Sequence, residues 1–167
     1  MAIMPIRLIP DPVLRVNCKE VTEFDDSLRQ LVADMVETMY AAPGVGLAGP
    51  QVGVEKRVFV VDTSVGKDKD GLKVFVNPRI VSEEGRDVDY EGCLSIPDIS
   101  EKVARPQWIK VLAQDEDGEE FVLETEDFEA RAVCHELDHL NGVLFIDHLR
   151  GLRRDKVKRR IRKAGLT

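Results

Sequence analysis

Cysteine is scarce in this 167-residue chain, which has only Cys18, Cys93 and Cys134. Three is an odd number and too few for a disulfide scaffold, so a reducing compartment, the cytoplasm, is expected. No apolar run approaches the ~20 residues of a membrane span, so no membrane partner is expected. The opening MAIMPIRLIPDP carries one basic residue and three prolines, Pro5, Pro10 and Pro12. It lacks both the apolar stretch of a secretory signal and the Arg/Ser richness of a transit peptide. Internal repeats and low-complexity stretches are also missing.

What is present fits one soluble globular domain. Hydrophobic residues make up 43% and charged residues 33%, a mix that rules out a disordered acidic tail or a collagen-like chain. The net charge of −7 is unevenly spread. Residues 148–167 hold nine Lys/Arg and a single acid, Asp155, leaving 15 of the 24 bases and 30 of the 31 acids to residues 1–147. An acidic body excludes a uniform nucleic-acid-binding surface, and no DNA partner is expected. The basic tail, read as a helical extension of the same domain, could touch a polyanion.

Periodicity predicts a helix over residues 25–41, with Leu28, Leu31, Val32, Met35, Val36 and Met39 on one face. Asp25, Asp26 and Ser27 start it, and Pro43 and Gly44 stop it. The glycine-rich stretch 44–53 reads as a loop without regular structure. Strands are predicted at Arg57–Asp62, Lys73–Val76 and Pro78–Ser82. Trp108–Ala113 and Glu120–Glu124 form a hairpin around a turn at Asp115–Gly118, and 63–72 is an exposed turn. A second helix spans 127–140, capped by Asp127 and closed by Asn141-Gly142. A third runs from about Asp147 to Ala164, with Leu149, Leu152 and Ile161 among its basic residues. The order predicts an α+β fold of antiparallel sheets.

The strongest chemical signal is His135-Glu136-Leu137-Asp138-His139, an HExxH. On a helix the two imidazoles lie about 40° apart and one turn apart, so both can point at one ion. Glu136, about 60° from His139, can reach water beside that ion without being a ligand. Two of the chain's three histidines fall in this pattern. A third ligand is required. Phe145 stands where a metzincin has its third histidine, and downstream acids are limited to Asp147 and Asp155. The search therefore turns upstream, where Cys93 in Glu91-Gly92-Cys93-Leu94-Ser95 is the best candidate, a soft thiolate suited to iron(II) or zinc(II). Cys18 reads as a small buried apolar residue. Cys134, about 140° around the helix from His139, reads as packing against a sheet. Gln51, ending GVGLAGPQ, is a neutral amide that could serve a developing oxyanion, although an ordinary tight turn explains that loop equally well.

The ordered segments GVGLAGPQ at 44–51, EGCLS at 91–95 and HELDH at 135–139 resemble the three motifs of peptide deformylase, GxGLAAxQ, EGCLS and HExDH. The resemblance implies an enzyme that removes the formyl group from the N-terminal formyl-methionine of new polypeptides and releases formate. It implies a single divalent metal on Cys93, His135 and His139 with water in a fourth position. Iron(II) would be native, with zinc or nickel able to replace it. Glu136 would be the general base, and the Gln51 amide with the Leu94 backbone N–H would bind the formyl oxygen. Val45, Gly46 and Glu91 would bind substrate, with Gly46 leaving space for its backbone. Antiparallel sheets would surround the HExDH helix. The chain departs from the pattern at Gly49, where loss of an alanine methyl should loosen the loop. It also departs at Cys134, in place of a common glutamine, and in having no arginine between Ser95 and Arg105. A small HExxH peptidase and a binding protein with a structural metal are the alternatives. The tail is either a solvated helix with one apolar edge or a dock for ribosomal RNA.

Overall fold

The computed structural model describes residues 2–167. Helix α1 (Asp26–Ala41) begins where the Asp25 side chain accepts the Leu28 N–H at 3.0 Å, satisfying one of the unpaired donors of a first turn. It buries Leu28, Val32, Met35 and Met39, the face that the 3.6-residue period dictates. Five antiparallel strands follow in a sheet of order β1-β2-β3-β6-β7: β1 Gly46–Ala48, β2 Val58–Val61, β3 Lys73–Glu84, β6 Trp108–Gln114 and β7 Glu120–Glu126. Strands β4 (Asp87–Cys93) and β5 (Ile96–Arg105) pair only with each other.

Alternation along β2 explains why its sequence is apolar throughout. Val58 and Val60 pack with α1, Leu47 and Val76. Phe59 and Val61 face the other way, against Phe75, Val111, Ala130 and Val133. The second group brings in helix α2 (Asp127–Leu140), so the sheet is covered on both faces at β2, all four of whose residues are buried. Phe59 and Phe75 stack there at 4.7 Å between centroids. A third cluster joins Ile96, Ile99 and Val103 of β5 to Leu14, Leu144 and Phe145 and to Val157 and Ile161 of helix α3 (Gly151–Lys163).

Several sequence expectations need correction. The glycine-rich stretch is regular for most of its length, since it contains β1 and a 3₁₀ turn at Gly49–Val52. The two segments around Asn77-Pro78 are one strand, β3, carried across the proline by a register shift. Asn77 sits there at φ +50 and its amide bonds the backbone of Val21 in both directions. Asp127 does not cap α2: the cap residue is Glu126, while the Asp127 carboxylate accepts from Gln107 at 3.1 Å. The third helix starts later than Asp147, because Phe145–His148 forms a separate 3₁₀ turn. Leu152 is 85% exposed and Val157 takes its place on the apolar edge of α3, while Ile161 and, just before the helix, Leu149 are buried as expected. No helix among the described residues is long and apolar enough to cross a membrane.

Candidate metal centre

The last residue of β4 is Cys93, at the point where the β4–β5 register slips: Gly92 faces Ser100, but Cys93 faces Ile96. That irregularity turns the thiol toward α2. His135 and His139 project from the buried side of α2 with rings edge-on, centroids 4.9 Å apart. The Cys93 Sγ lies 3.4 Å from His139 Nε2. Ligand atoms of Cys93, His135 and His139 all fall within 4.8 Å of one another.

Each ring is prepared differently. His135 Nδ1 meets Glu91 Oε1 at 2.8 Å, which leaves Nε2 as its free nitrogen. Burial opposes a charged His135, but hydrogen bonding with Cys93 and Glu91 and the charge of Glu136 hold its pKa well above the usual histidine value. Burial and the neighbouring His135 push His139 well below it. A metal would therefore displace a proton on binding. One soft sulfur and two imidazoles, with an unpartnered buried oxygen of Glu136 beside them, form a donor set that fits zinc(II) or iron(II).

Glu136 is buried, and this burial raises its pKa to about 7. Space for its carboxylate comes from Gly46 of β1: a Cβ built there would lie 2.5 Å from Glu136 Oε2. The room at Gly46 was expected to serve the substrate backbone, yet the direction of the missing side chain is filled by the Glu136 carboxylate. Gly49 is not loose either. An added methyl would meet the carbonyl oxygens of Lys56 and Val54 at 2.9 Å each, so a glycine fits the tight 3₁₀ turn.

Gln51 is 1% exposed. Its Oε1 accepts the Ala48 N–H at 3.0 Å and its Nε2 donates to Ser95 Oγ at 3.1 Å. The same Nε2 lies 3.6 Å from Cys93 Sγ, so the amide presents its donor to the centre. Leu94 follows Cys93 in the turn before β5. Both residues line a cavity of about 590 Å³ walled by Val45, Ile96, Ile99, Phe128 and Ala132.

Glu91 borders that cavity, but its carboxylate is fully engaged by the protein. Arg105 Nε and Nη2 donate to Oε2 and Oε1 at 2.8 and 2.7 Å, and Arg131 Nη1 donates to Oε2 at 2.8 Å. Burial alone would raise its pKa, but the bonds from Arg105 and His135 override it and hold Glu91 well below the usual range. The expectation that Glu91 contacts substrate gives way to an internal partner of His135. Sequence reasoning missed Arg105 and Arg131. A basic residue one turn before the first histidine was the only signal for Arg131, and nothing local marked Arg105. Cys134 is buried in the sheet-facing core, and burial pushes its thiol up to about 12.

A family model described as polypeptide deformylase matches residues 3–155. The chain is 52% identical over 163 residues to a peptide deformylase of Acidobacterium capsulatum, covering 98% of this chain and 96% of that one. It is 50% identical over 169 residues to one of Rhizobium meliloti, covering 100% and 97%. A crystal structure of a peptide deformylase from Legionella pneumophila superposes with a TM-score of 0.92 at 43% identity, covering 98% of this chain and 96% of that one.

Proposed function

The chain belongs to the polypeptide deformylase family, and we propose from that premise how its residues carry out the family's metal-dependent hydrolysis, the removal of the N-formyl group from nascent peptides. Cys93, His135 and His139 hold the metal. The observation that carries this reading is the convergence of one sulfur and two imidazoles, with Cys93, His135 and Glu136 lining an apolar cavity. Iron(II) is the native ion, and zinc(II) or nickel(II) can replace it. A divalent ion held by these atoms would supply Lewis acidity and would lower the pKa of water toward neutrality.

The chain's own groups do the rest. Glu136, with a pKa near 7, accepts a proton from the attacking water and passes it to the leaving amine, the match of pKa to working pH that favours general catalysis. Gln51 Nε2 and the Leu94 backbone N–H donate to the oxygen that becomes negative. One such donor is typically worth about 2.7–4 kcal/mol in the transition state. Val45, Ile96, Ile99 and Phe128 receive the methionine side chain, which is long, apolar and adaptable. Gly46 belongs to the same wall and makes room for Glu136. Glu91 orients His135.

The enzyme acts in the cytoplasm, consistent with three free cysteines. Residues 148–167 fold with residues 1–147 as one domain, supported by Val157 and Ile161 packing on β5. Exposed Arg154, Lys158 and Arg162 on α3 are the surface for ribosomal RNA, whose binding would weaken steeply with salt. Replacing those three with Gln should reduce ribosome co-sedimentation, and unchanged co-sedimentation would remove that contact.

The activity is tested with anaerobically purified, iron-loaded protein and a formyl-Met tripeptide. Formate should appear with one free amine per turnover. Cleavage of an internal peptide bond without formate would replace this reading with that of a small peptidase.

A further inference from the structure

Arg105 lies at the end of β5 and is 6% exposed. Its guanidinium uses three of its N–H directions on two different carboxylates. Nε and Nη2 grip both oxygens of Glu91, and Nη1 donates to Asp138 Oδ2 at 2.7 Å. Each carboxylate is tied to one histidine, Glu91 by a direct hydrogen bond and Asp138 as the neighbouring residue on α2. Glu91 Oε1 fixes the far nitrogen of His135. Asp138 precedes His139 in the last turn of α2, and its carbonyl accepts from Asn141 N and Val143 N. His139 needs such an anchor because its own Nδ1 is buried without a partner. Nothing holds that ring by its outer edge, so its position is set by the backbone that carries it.

We propose that Arg105 is a positioning residue that sets the spacing of both metal-binding imidazoles through Glu91 and Asp138. The inference rests on the metal-centre reading above. Stability gives little reason to bury so many charges, since a buried ion pair often contributes no more than an apolar replacement would. Orientation gives a better one. A planar fork meets two oxygens of one carboxylate and still reaches a second; a lysine ammonium is a compact point charge that cannot hold both oxygens of Glu91 in one plane while reaching Asp138. Arg131 also bonds Glu91, but only at Oε2, so it cannot aim the oxygen that faces His135. His148 Nε2, 2.9 Å from Asp138 Oδ2, braces the second arm from the solvent side.

The test compares the wild-type chain with Arg105→Lys and Asp138→Asn. Metal affinity is read by competition with a chromophoric chelator for zinc, and ligand geometry by the visible absorption of the cobalt(II)-loaded protein. Loss of an orienting partner should weaken zinc binding about 10–100-fold. The cobalt band should shift in position or intensity, and kcat should fall more than KM rises. Asp138→Asn should move both readouts in the same direction by less. If Arg105→Lys lowers thermal stability but leaves zinc affinity and the cobalt spectrum unchanged, Arg105 is merely structural and the proposal fails. Should Arg105→Lys not fold, unchanged affinity and spectrum in Asp138→Asn overturn it. A wild-type chain that binds neither metal would overturn the metal-centre reading itself, and the clamp with it.

Discussion

Replacing Gly46 with alanine should disable catalysis by adding one methyl group. The backbone there is not left-handed, so alanine is conformationally admissible and the effect is purely one of space. An ideal Cβ would sit 2.5, 2.9 and 3.0 Å from Oε2, Cδ and Cγ of Glu136. The strand cannot yield easily: Gly46 is paired with Val61, Val45 O accepts from Asp62 N at 2.8 Å, and Leu47 and Ala48 are fully buried. The Glu136 side chain must therefore retreat by roughly 1 Å, a misplacement that can reduce a rate by about 10²-fold, equivalent to about 2.7 kcal/mol in the barrier. Overpacking should also reduce stability by about 1–3 kcal/mol. The three metal ligands are untouched, so metal content should match wild type. Steady-state kinetics of formate release, paired with elemental analysis, separate these effects. A Gly46→Ala enzyme that keeps its metal and a kcat within about threefold of wild type would refute the argument that β1 and Glu136 are fitted to each other.

Gln51→Ala should lower kcat about 10²–10³-fold with its metal retained; an unchanged kcat would mean that the amide does not serve the oxyanion. Ile161→Ala should cost about 2–5 kcal/mol of unfolding free energy, whereas Leu152→Ser, at a position 85% exposed, should change stability by less than about 0.5 kcal/mol; denaturant melts decide between them. Burial would raise the Asp147 pKa, but hydrogen bonds from Arg15 and the Leu144 N–H lower it below its ordinary value. A depressed folded pKa contributes stability that is complete above the unfolded value of about 3.9 and is lost as pH falls through the folded one. The loss of stability on acidification from pH 5 to 3 should therefore be shallower in Asp147→Asn, and identical slopes would contradict this.

The parts of the molecule legible in the sequence are those with strong local rules. Helix α1 announces itself by apolar spacing, α2 by the Asn141-Gly142 that closes it, and the β6–β7 hairpin by its turn, where Asp115 accepts the N–H groups of Asp117 and Glu119. The three motifs bring Gln51, Cys93, His135, Glu136 and His139 to one place despite their separation along the chain. The β4–β5 hairpin escaped notice because Asp87, Val88, Asp89 and Tyr90 leave it mostly solvent-exposed, so no clean alternation marks it. Arg105 was legible only as a residue type. Its role depends on a guanidinium meeting carboxylates 14 and 33 positions away, which no local pattern encodes.

The burial of Cys18 and Cys134 has a practical use. Both thiols are enclosed and resist ionisation, Cys134 up to about 12 and Cys18 in the same direction through burial. An alkylating reagent offered to the folded chain therefore has one partly open sulfur to attack, Cys93. Because that sulfur is also the proposed ligand, the rate of covalent labelling becomes a direct gauge of how many molecules in a preparation carry their ion.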